Sequence, residues 1–484
     1  MQSRVQPKTR EMNLTEGPIF KKLIIYALPL IGTNLLQILF NATDVAVLGK
    51  LVGGNAVGAV GSTNSIINLI IALFVGLSAG ANVVVAKLMG AKDEEGAHKA
   101  VGTSVCIALI SGAILLIVGV TCSRYFLQWM GTVPEILDDA TRYMHIYFLG
   151  APIMILYNFI ASILRAVGDT LRPLIYLLIG GVLNIGLNIF CIKVLNLTVE
   201  GVAIATVAAQ FISVALSLIA LFKSKGYGQF RLKYFKIDKE QFRNIIKIGL
   251  PSGLQGMLFS LSNVLIQSNI NAFDNGVQKP VTVPGNTSAQ QLDAIIYNVG
   301  NAIAISCMAF VSQNYGAGKI KRIRESFWKS VLLVSISMLT VGTILRLGAD
   351  LFLRIIVDDV DIIEKAKVRL TVMCFTYFMC GIMECLSYSL RALGKSITAM
   401  IISLIGACGF RILWLNTIFL LNPTSLYMLY FAYPISWLLT VAMYCCFFFP
   451  LLNKISKGLP LKIPPKQMEG GHIVTKQRGT RKKF

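Results

Sequence analysis

The chain has 484 residues, 55% of them hydrophobic and only 14% charged, with a mean hydropathy of +0.68 and a formal net charge of +22. That composition excludes an ordinary soluble domain and is that of an integral membrane protein. The basic excess lies between apolar runs, where it suits anionic lipid on one membrane face and argues against nucleic acid as a partner.

Twelve helical spans are expected, near 22–50, 57–86, 98–122, 143–166, 173–195, 200–222, 245–273, 290–314, 326–350, 366–392, 397–421 and 427–450. Residues 1–21 form a polar, basic N-terminal segment. The apolar run behind it is too long for a signal-peptide core and lacks a small-residue cleavage site, so it reads as a retained first span. About three-quarters of the 45 Lys and Arg fall on the N-terminal segment, alternate loops and the tail. An even span count with this bias places both termini in the cytoplasm. The acidic run Asp358, Asp359, Asp361 and Glu364 then falls outside.

The first span carries Pro29, which can weaken its hydrogen-bond ladder and let it bend. Asn34, Gln37, Asn41 and Asp44 follow at intervals of three or four and share one helix face. An ionised Asp within hydrocarbon costs several kcal/mol on lenient scales, so it must meet a partner or a wet cavity. Asp44 lies ~9 Å from the outer end of its span. Asn184 and Asn188 in the fifth span lie roughly 10–16 Å from its outer end, and Thr206 in the sixth ~9 Å in, with Gln210 one turn on. Four polar side chains from three spans thus fall at similar depth. A carboxylate with amide and hydroxyl oxygens can hold a proton or a small hard cation; the alternative is interhelical hydrogen bonding, at ~0.6 kcal/mol a pair.

The basic stretch 223–244 reads as a linker between two halves, 22–222 and 245–450, because the chain repeats itself. Leu164-Arg165-Ala166-Val167-Gly168 returns as Leu390-Arg391-Ala392-Leu393-Gly394, and Gly90-Ala91 as Gly316-Ala317, each 226 residues on; Leu28-Pro29 returns as Leu250-Pro251, 222 on. Six spans separate the copies, so they keep one orientation, and a substrate site is expected between the halves. Arg165 and Arg391 stand at helix ends beside glycine and read as caps and anchors. Residues 274–293, with Pro280, Pro284 and Gly285, read as a polar outer loop. In the tenth span, Glu384 and Tyr388 are candidates for substrate contact or a second protonation site. The alternative is an ion pair between Glu384 and Arg411, which would bridge about 9 Å of depth. Met257, Met373, Met379 and Met383 offer adaptable surface for varied guests, or ordinary core. Residues 451–484, basic and aperiodic, are expected to be a disordered cytoplasmic tail.

Other chemistry lacks its residues. The ten cysteines lie almost wholly inside apolar runs without CxxC–His spacing, so no zinc site or disulfide framework is expected. Gly394-Lys395-Ser396 resembles the end of a phosphate loop, but Ser389 occupies the upstream glycine position. With three histidines, no HExxH and no nucleophile–base pair, an enzyme is not expected, nor any cofactor beyond a coupling ion.

The Pro29…Asp44…Gly49 span, Lys87-Leu-Met-Gly-Ala91, the two Leu-Arg-Ala-x-Gly motifs, Asn184…Asn188…Gly201-Val-Ala-Ile-Ala-Thr206 and Tyr433-Pro434-Ile435-Ser436-Trp437 together resemble the multidrug and toxic compound extrusion (MATE) family. Over residues 12–455 the chain is more similar to its DinF/MepA-like bacterial branch than to the NorM branch. The resemblance implies two six-helix lobes forming a V and export of small molecules in exchange for H⁺ or Na⁺. It also implies a first-lobe cation site at Asp44, Asn184, Asn188 and Thr206. Several relatives carry a second carboxylate where this chain has Asn188, and some a Tyr where it has Phe40. One carboxylate fewer favours H⁺ over Na⁺. The expected function is a monomeric, cation-coupled antiporter in the cell membrane that exports cationic, amphipathic drugs. The alternative is a flippase for lipid-linked oligosaccharides of the same broader superfamily. That role would favour a basic cavity, whereas Asp44 and Glu384 outnumber Arg411 among the mid-membrane charges.

Overall fold

The computed structural model describes residues 11–457, and every regular element in it is helical. In chain order the α-helices are α1 (Ile19–Leu51), α2 (Gly54–Gly90), α3 (Glu94–Trp129), α4 (Pro134–Leu149), α5 (Ala151–Ala166), α6 (Leu171–Lys193) and α7 (Val199–Lys223). After a basic connection come α8 (Lys239–Ala272), α9 (Thr282–Gly316), α10 (Ile320–Leu347), the short α11 (Ala349–Arg354), α12 (Val360–Ala392), α13 (Ser396–Ser403), α14 (Phe410–Asn416) and α15 (Leu426–Ser456). Ten helical stretches are long and apolar enough to cross a membrane, the one at Ser396–Leu421 joining α13 to α14. The pair α4 and α5, bent by 49° at Gly150, makes an eleventh. The remaining expected span is α8. It is long enough but too polar, because it carries Ser252, Gln255, Ser262 and Asn263 along its length.

Three boundaries differ from the sequence reading. Residues 274–293 are not one loop: α9 begins at Thr282, since Asp274 accepts the otherwise unpaired N–H groups of Thr282 and Val283 at its start. Asp293 is therefore inside a helix. Residues 451–456, assigned to the tail, continue α15 past Pro450, whose missing N–H costs one bond but does not end the helix. The rest of the tail lies outside the described residues. The linker read as 223–244 ends at Asp238, which caps α8 from Lys239; before it Tyr234 stacks on His98 and Thr103 Oγ1 donates to the Lys236 carbonyl.

The repeated motifs are helix ends. At Leu164–Asp169 the Asp169 N–H reaches the Leu164 carbonyl (2.9 Å), with Gly168 at φ +89°; at Leu390–Lys395 the Lys395 N–H reaches Leu390 (2.8 Å), with Gly394 at φ +81°. Both are glycine-terminated helix caps.

α1 and α2 of the first half meet α8 and α9 of the second. Backbone contact is closest where glycines face one another. Gly76 and Gly80 of α2 lie against Gly253 and Gly249 of α8. Further along, a side chain at Gly90 would strike the Gln313 carbonyl, and one at Gly316 the Lys87 carbonyl. The second pair are repeat equivalents meeting across a pseudo-two-fold. Small residues let backbones approach closely and gain dispersion contact where lipid supplies no hydrophobic drive.

The N-terminal segment seals the end of this seam, the basic end of the bundle. Met12 N–H donates to the Val167 carbonyl (3.0 Å) in the first half. Leu14, fully buried, donates its N–H to Gln313 Oε1 (2.9 Å) in the second. Lys319 and Arg322 hold the carbonyls of Thr15 and Gly17.

Candidate functional site

The polar residues singled out in α1, α6 and α7 come together. Asn188 Nδ2 donates to Asp44 Oδ1 at 2.6 Å and is 3.3 Å from Asn184 Oδ1; Asn184 Nδ2 in turn donates to Thr206 Oγ1 at 3.3 Å. The i,i+4 spacing of the two asparagines lines them along one edge of α6, between α1 and α7. Asn188 is fully buried and Asn184 nearly so, while Asp44 is half-buried. Asn188 Oδ1 is buried and accepts no hydrogen bond among the described residues, so a free acceptor oxygen lies beside the carboxylate. Just below, the Phe40 ring packs onto Gly181, where any side chain would collide with it. That close approach draws α1 against α6 and brings Asp44 within reach of Asn188. Tyr143 of α4 is a buried tyrosine of the same half. The sequence reading missed it because α4 carries four acidic and basic residues before Tyr143 and resembles an interfacial helix more than a span.

The rest of the α1 stripe divides. Asn34 Nδ2 donates across the seam to the Asn298 carbonyl of α9 (3.0 Å), while Gln37 and Asn41 are exposed and Gln210 is partly buried. Pro29 lies inside α1, where its missing N–H leaves the Ile25 carbonyl without that helical bond, and the Thr33 hydroxyl donates to the Pro29 carbonyl (2.8 Å).

In the second half Tyr388 accepts from Asn301 Nδ2 (3.3 Å) and lies under the Arg391 guanidinium, 4.6 Å away. Glu384 does not pair with Arg411. Among the described residues no ion pair joins the two, and Arg411 bonds Ser436 and Asn263. Arg411 is held instead by neutral groups of α15 and α8. Of the methionines, Met373 and Met383 are core and Met257 and Met379 are partly exposed.

A second buried network was not foreseen. Arg369 Nε donates to Asp293 Oδ2 (2.7 Å) and its Nη1 to Asn286 Oδ1 (3.0 Å); Asn286 is also bonded by Tyr430 and bonds Gln267. Both charges are about 3% exposed, and the pair ties α9, α12 and α15 together. Placing Asp293 in a loop hid it. The signal was available in the i,i+7 spacing of Asn286 and Asp293 and in an arginine within an expected span.

The sequence pattern of the MatE family matches residues 29–190 and 251–417, more than half of the chain and one stretch in each half. The chain belongs to the MatE family. Among curated relatives, the probable multidrug resistance protein YoeA of Bacillus subtilis is 25% identical over 406 residues, covering 81% of this chain and 86% of its own. The multidrug export protein MepA of Staphylococcus aureus is 23% identical over 393 residues, covering 81% and 85%. Among solved structures, a MOP superfamily transporter from Pyrococcus furiosus superposes with a TM-score of 0.85 at 22% identity, covering 93% of this chain and 100% of its own. An outward-facing multidrug resistance MATE family transporter gives 0.83 at 22%, with the same coverage. At that identity the structures show the fold, and the fold is that of MATE transporters.

Proposed function

We propose that this chain is a cation-coupled exporter of cationic, amphipathic small molecules, working by alternating access in the cell membrane as a monomer with both termini cytoplasmic. Family membership and the printed names of YoeA and MepA support the multidrug reading. The observation that carries the coupling reading is the Asp44–Asn188 hydrogen bond with the free Asn188 Oδ1 beside it.

A single carboxylate among amides and a hydroxyl offers one negative charge, which one proton neutralises completely. Tight binding of a hard cation draws on several oxygen ligands and gains from further negative charge, which amides lack. The proposed coupling ion is therefore H⁺. Loading Asp44 removes its charge and with it the attraction for a cationic guest. Pro29, having already broken one bond of α1, is where that helix bends as the charge changes. Gln37, Asn41, Gln210, Glu384 and Tyr388 are proposed as substrate contacts or, for Glu384, a second protonation site.

The test is export of ethidium from proteoliposomes under an imposed pH gradient and, separately, an imposed Na⁺ gradient. The wild type is expected to respond to the pH gradient. Asp44→Asn is expected to insert normally and lose at least about tenfold of the gradient-driven rate, as for loss of a group the transport step requires. Wild-type rates with unchanged gradient dependence in Asp44→Asn would make the cluster a packing feature.

A further inference from the structure

The second half holds three buried arginines, Arg369, Arg391 and Arg411, while the carboxylates inside its long helices that are not exposed are Asp293 and Glu384. Asp293 pairs with Arg369, while the Arg391 guanidinium lies 4.6 Å from the centre of the Tyr388 ring. Arg411, 3% exposed, has no carboxylate within ion-pair distance among the described residues. Its partners are neutral: Nε donates to Ser436 Oγ (3.1 Å), Nη1 to Asn263 Oδ1 (3.3 Å), and the guanidinium lies 4.4 Å from the centre of the Tyr433 ring. A guanidinium has five N–H groups, so the two bonds leave three without a described partner. A cation at this depth without a counter-charge is costly, and the face of one aromatic ring offsets only part of that cost.

The position is not arbitrary. The 222-residue spacing that relates Pro29 to Pro251 relates Asn41 to Asn263, and the 226-residue spacing that relates Leu164 to Leu390 relates Gln210 to Ser436. Between Leu390 and Arg411 the chain makes a π-helical turn, Leu404–Gly409, absent from α6. Such a turn accommodates one extra residue. The added residue brings Arg411 to the place that Asn184 occupies in the first half. The first half therefore has an acid among amides, and the second half has a base among neutral donors and acceptors, at repeat-related places.

We propose that Arg411, with Asn263 and Ser436, forms an anion-binding site in the second half that takes the carboxylate of an amphipathic small molecule. A monoanion matches one guanidinium, and a planar carboxylate matches its fork of N–H donors. Bound molecules of this kind are then zwitterionic as well as cationic substrates, a claim that rests on the exporter reading; the site itself does not.

Binding to detergent-solubilised, full-length protein tests the site without any gradient, and so apart from coupling. The probes are rhodamine B and its ethyl ester, which differ by one carboxylate, followed by fluorescence anisotropy. The wild type is expected to bind the acid at least tenfold more tightly than the ester. Arg411→Gln is expected to remove that preference while leaving the ester's affinity within twofold, and Asn263→Ala to reduce it. Octanoate is expected to compete with rhodamine B. Equal wild-type affinity for acid and ester overturns the proposal even if Arg411→Gln does not fold. Stronger competition by octyl phosphate than by octanoate overturns it too, in favour of a phosphate-bearing lipid.

Discussion

Lys92 and Gly318 occupy the same place in the two copies of the turn that joins α2 to α3 and α9 to α10. Each follows its helix in the left-handed region, Lys92 at φ +59° and Gly318 at φ +68°. The hydrogen bonds match: Asp93 N–H to the Leu88 carbonyl (3.0 Å), and Lys319 N–H to that of Asn314 (2.9 Å). Left-handed backbone costs an L-residue about 1–2 kcal/mol, part of which a glycine gives back through its freer unfolded chain. Lys92→Gly is thus expected to raise stability by about 0.5–1 kcal/mol, read as a higher thermal midpoint in detergent. A side chain at Gly318 would meet nothing within 4 Å, so Gly318→Ala isolates the backbone term and is expected to lower the midpoint. A change in the opposite sense at both positions would remove the strain argument.

Helix pairs show how glycine spacing decides which elements meet. α2 presents Gly76 and Gly80 where α8 presents Gly253 and Gly249, four residues apart on both helices. Further along, α2 and α9 touch at Gly90 and Gly316, each lying against a main-chain carbonyl of the other helix. A methyl at either point must push backbone, and overpacking of that kind costs ~1–3 kcal/mol. Gly316→Ala is expected to part the basic end of the seam. The measurement is thiol labelling of a cysteine at Leu14, buried in the wild type. Labelling several-fold faster in Gly316→Ala is the expected result, and an unchanged rate would show that the helices yield without separating.

For the whole molecule, the seam is closed at its basic end by segments that each precede the first helix of a half. Residues 12–17 dock on α9 and α10, and residues 234–238 dock on α3. Both cross to or along the other half, so opening this end requires their hydrogen bonds to break. The opposite end carries the turn between α8 and α9, where Lys279 bridges Asp359 and Asp361 at 2.9 and 2.8 Å. Lys279 and Asp361 are exposed and Asp359 is half-buried, and the two carboxylates hold the Lys279 ammonium up at about 12. If both termini are cytoplasmic, that turn is extracellular. Gln278 is exposed there, whereas Ser288 is buried in α9 and would report nothing. Gln278→Cys in a Cys446→Ser background is expected to react with an impermeant thiol reagent in intact cells. Reaction only after permeabilisation would invert the proposed orientation.

Much of this architecture follows from local signals that a sequence carries in full. Span positions need only a count of apolar residues, and the repeat is visible as identical turn chemistry, Leu-Arg-Ala-x-Gly, which is what a glycine-ended helix requires. The cluster around Asp44 was legible because polar residues are rare in hydrocarbon and helix rise converts residue number into depth. What stayed hidden depends on which groups face each other. Asp293 has the same composition of neighbours as a loop residue until Arg369 of α12 is placed beside it. Glu384 and Arg411 look like partners until Ser436 and Asn263 are found bonded to Arg411. The π turn before Arg411 leaves no mark in the sequence either, since one extra residue alters helix phase without altering composition. Depth along the membrane is a one-dimensional quantity and can be read from a chain; the direction in which each helix turns its polar face is set by packing against its neighbours, and only the tertiary structure decides it.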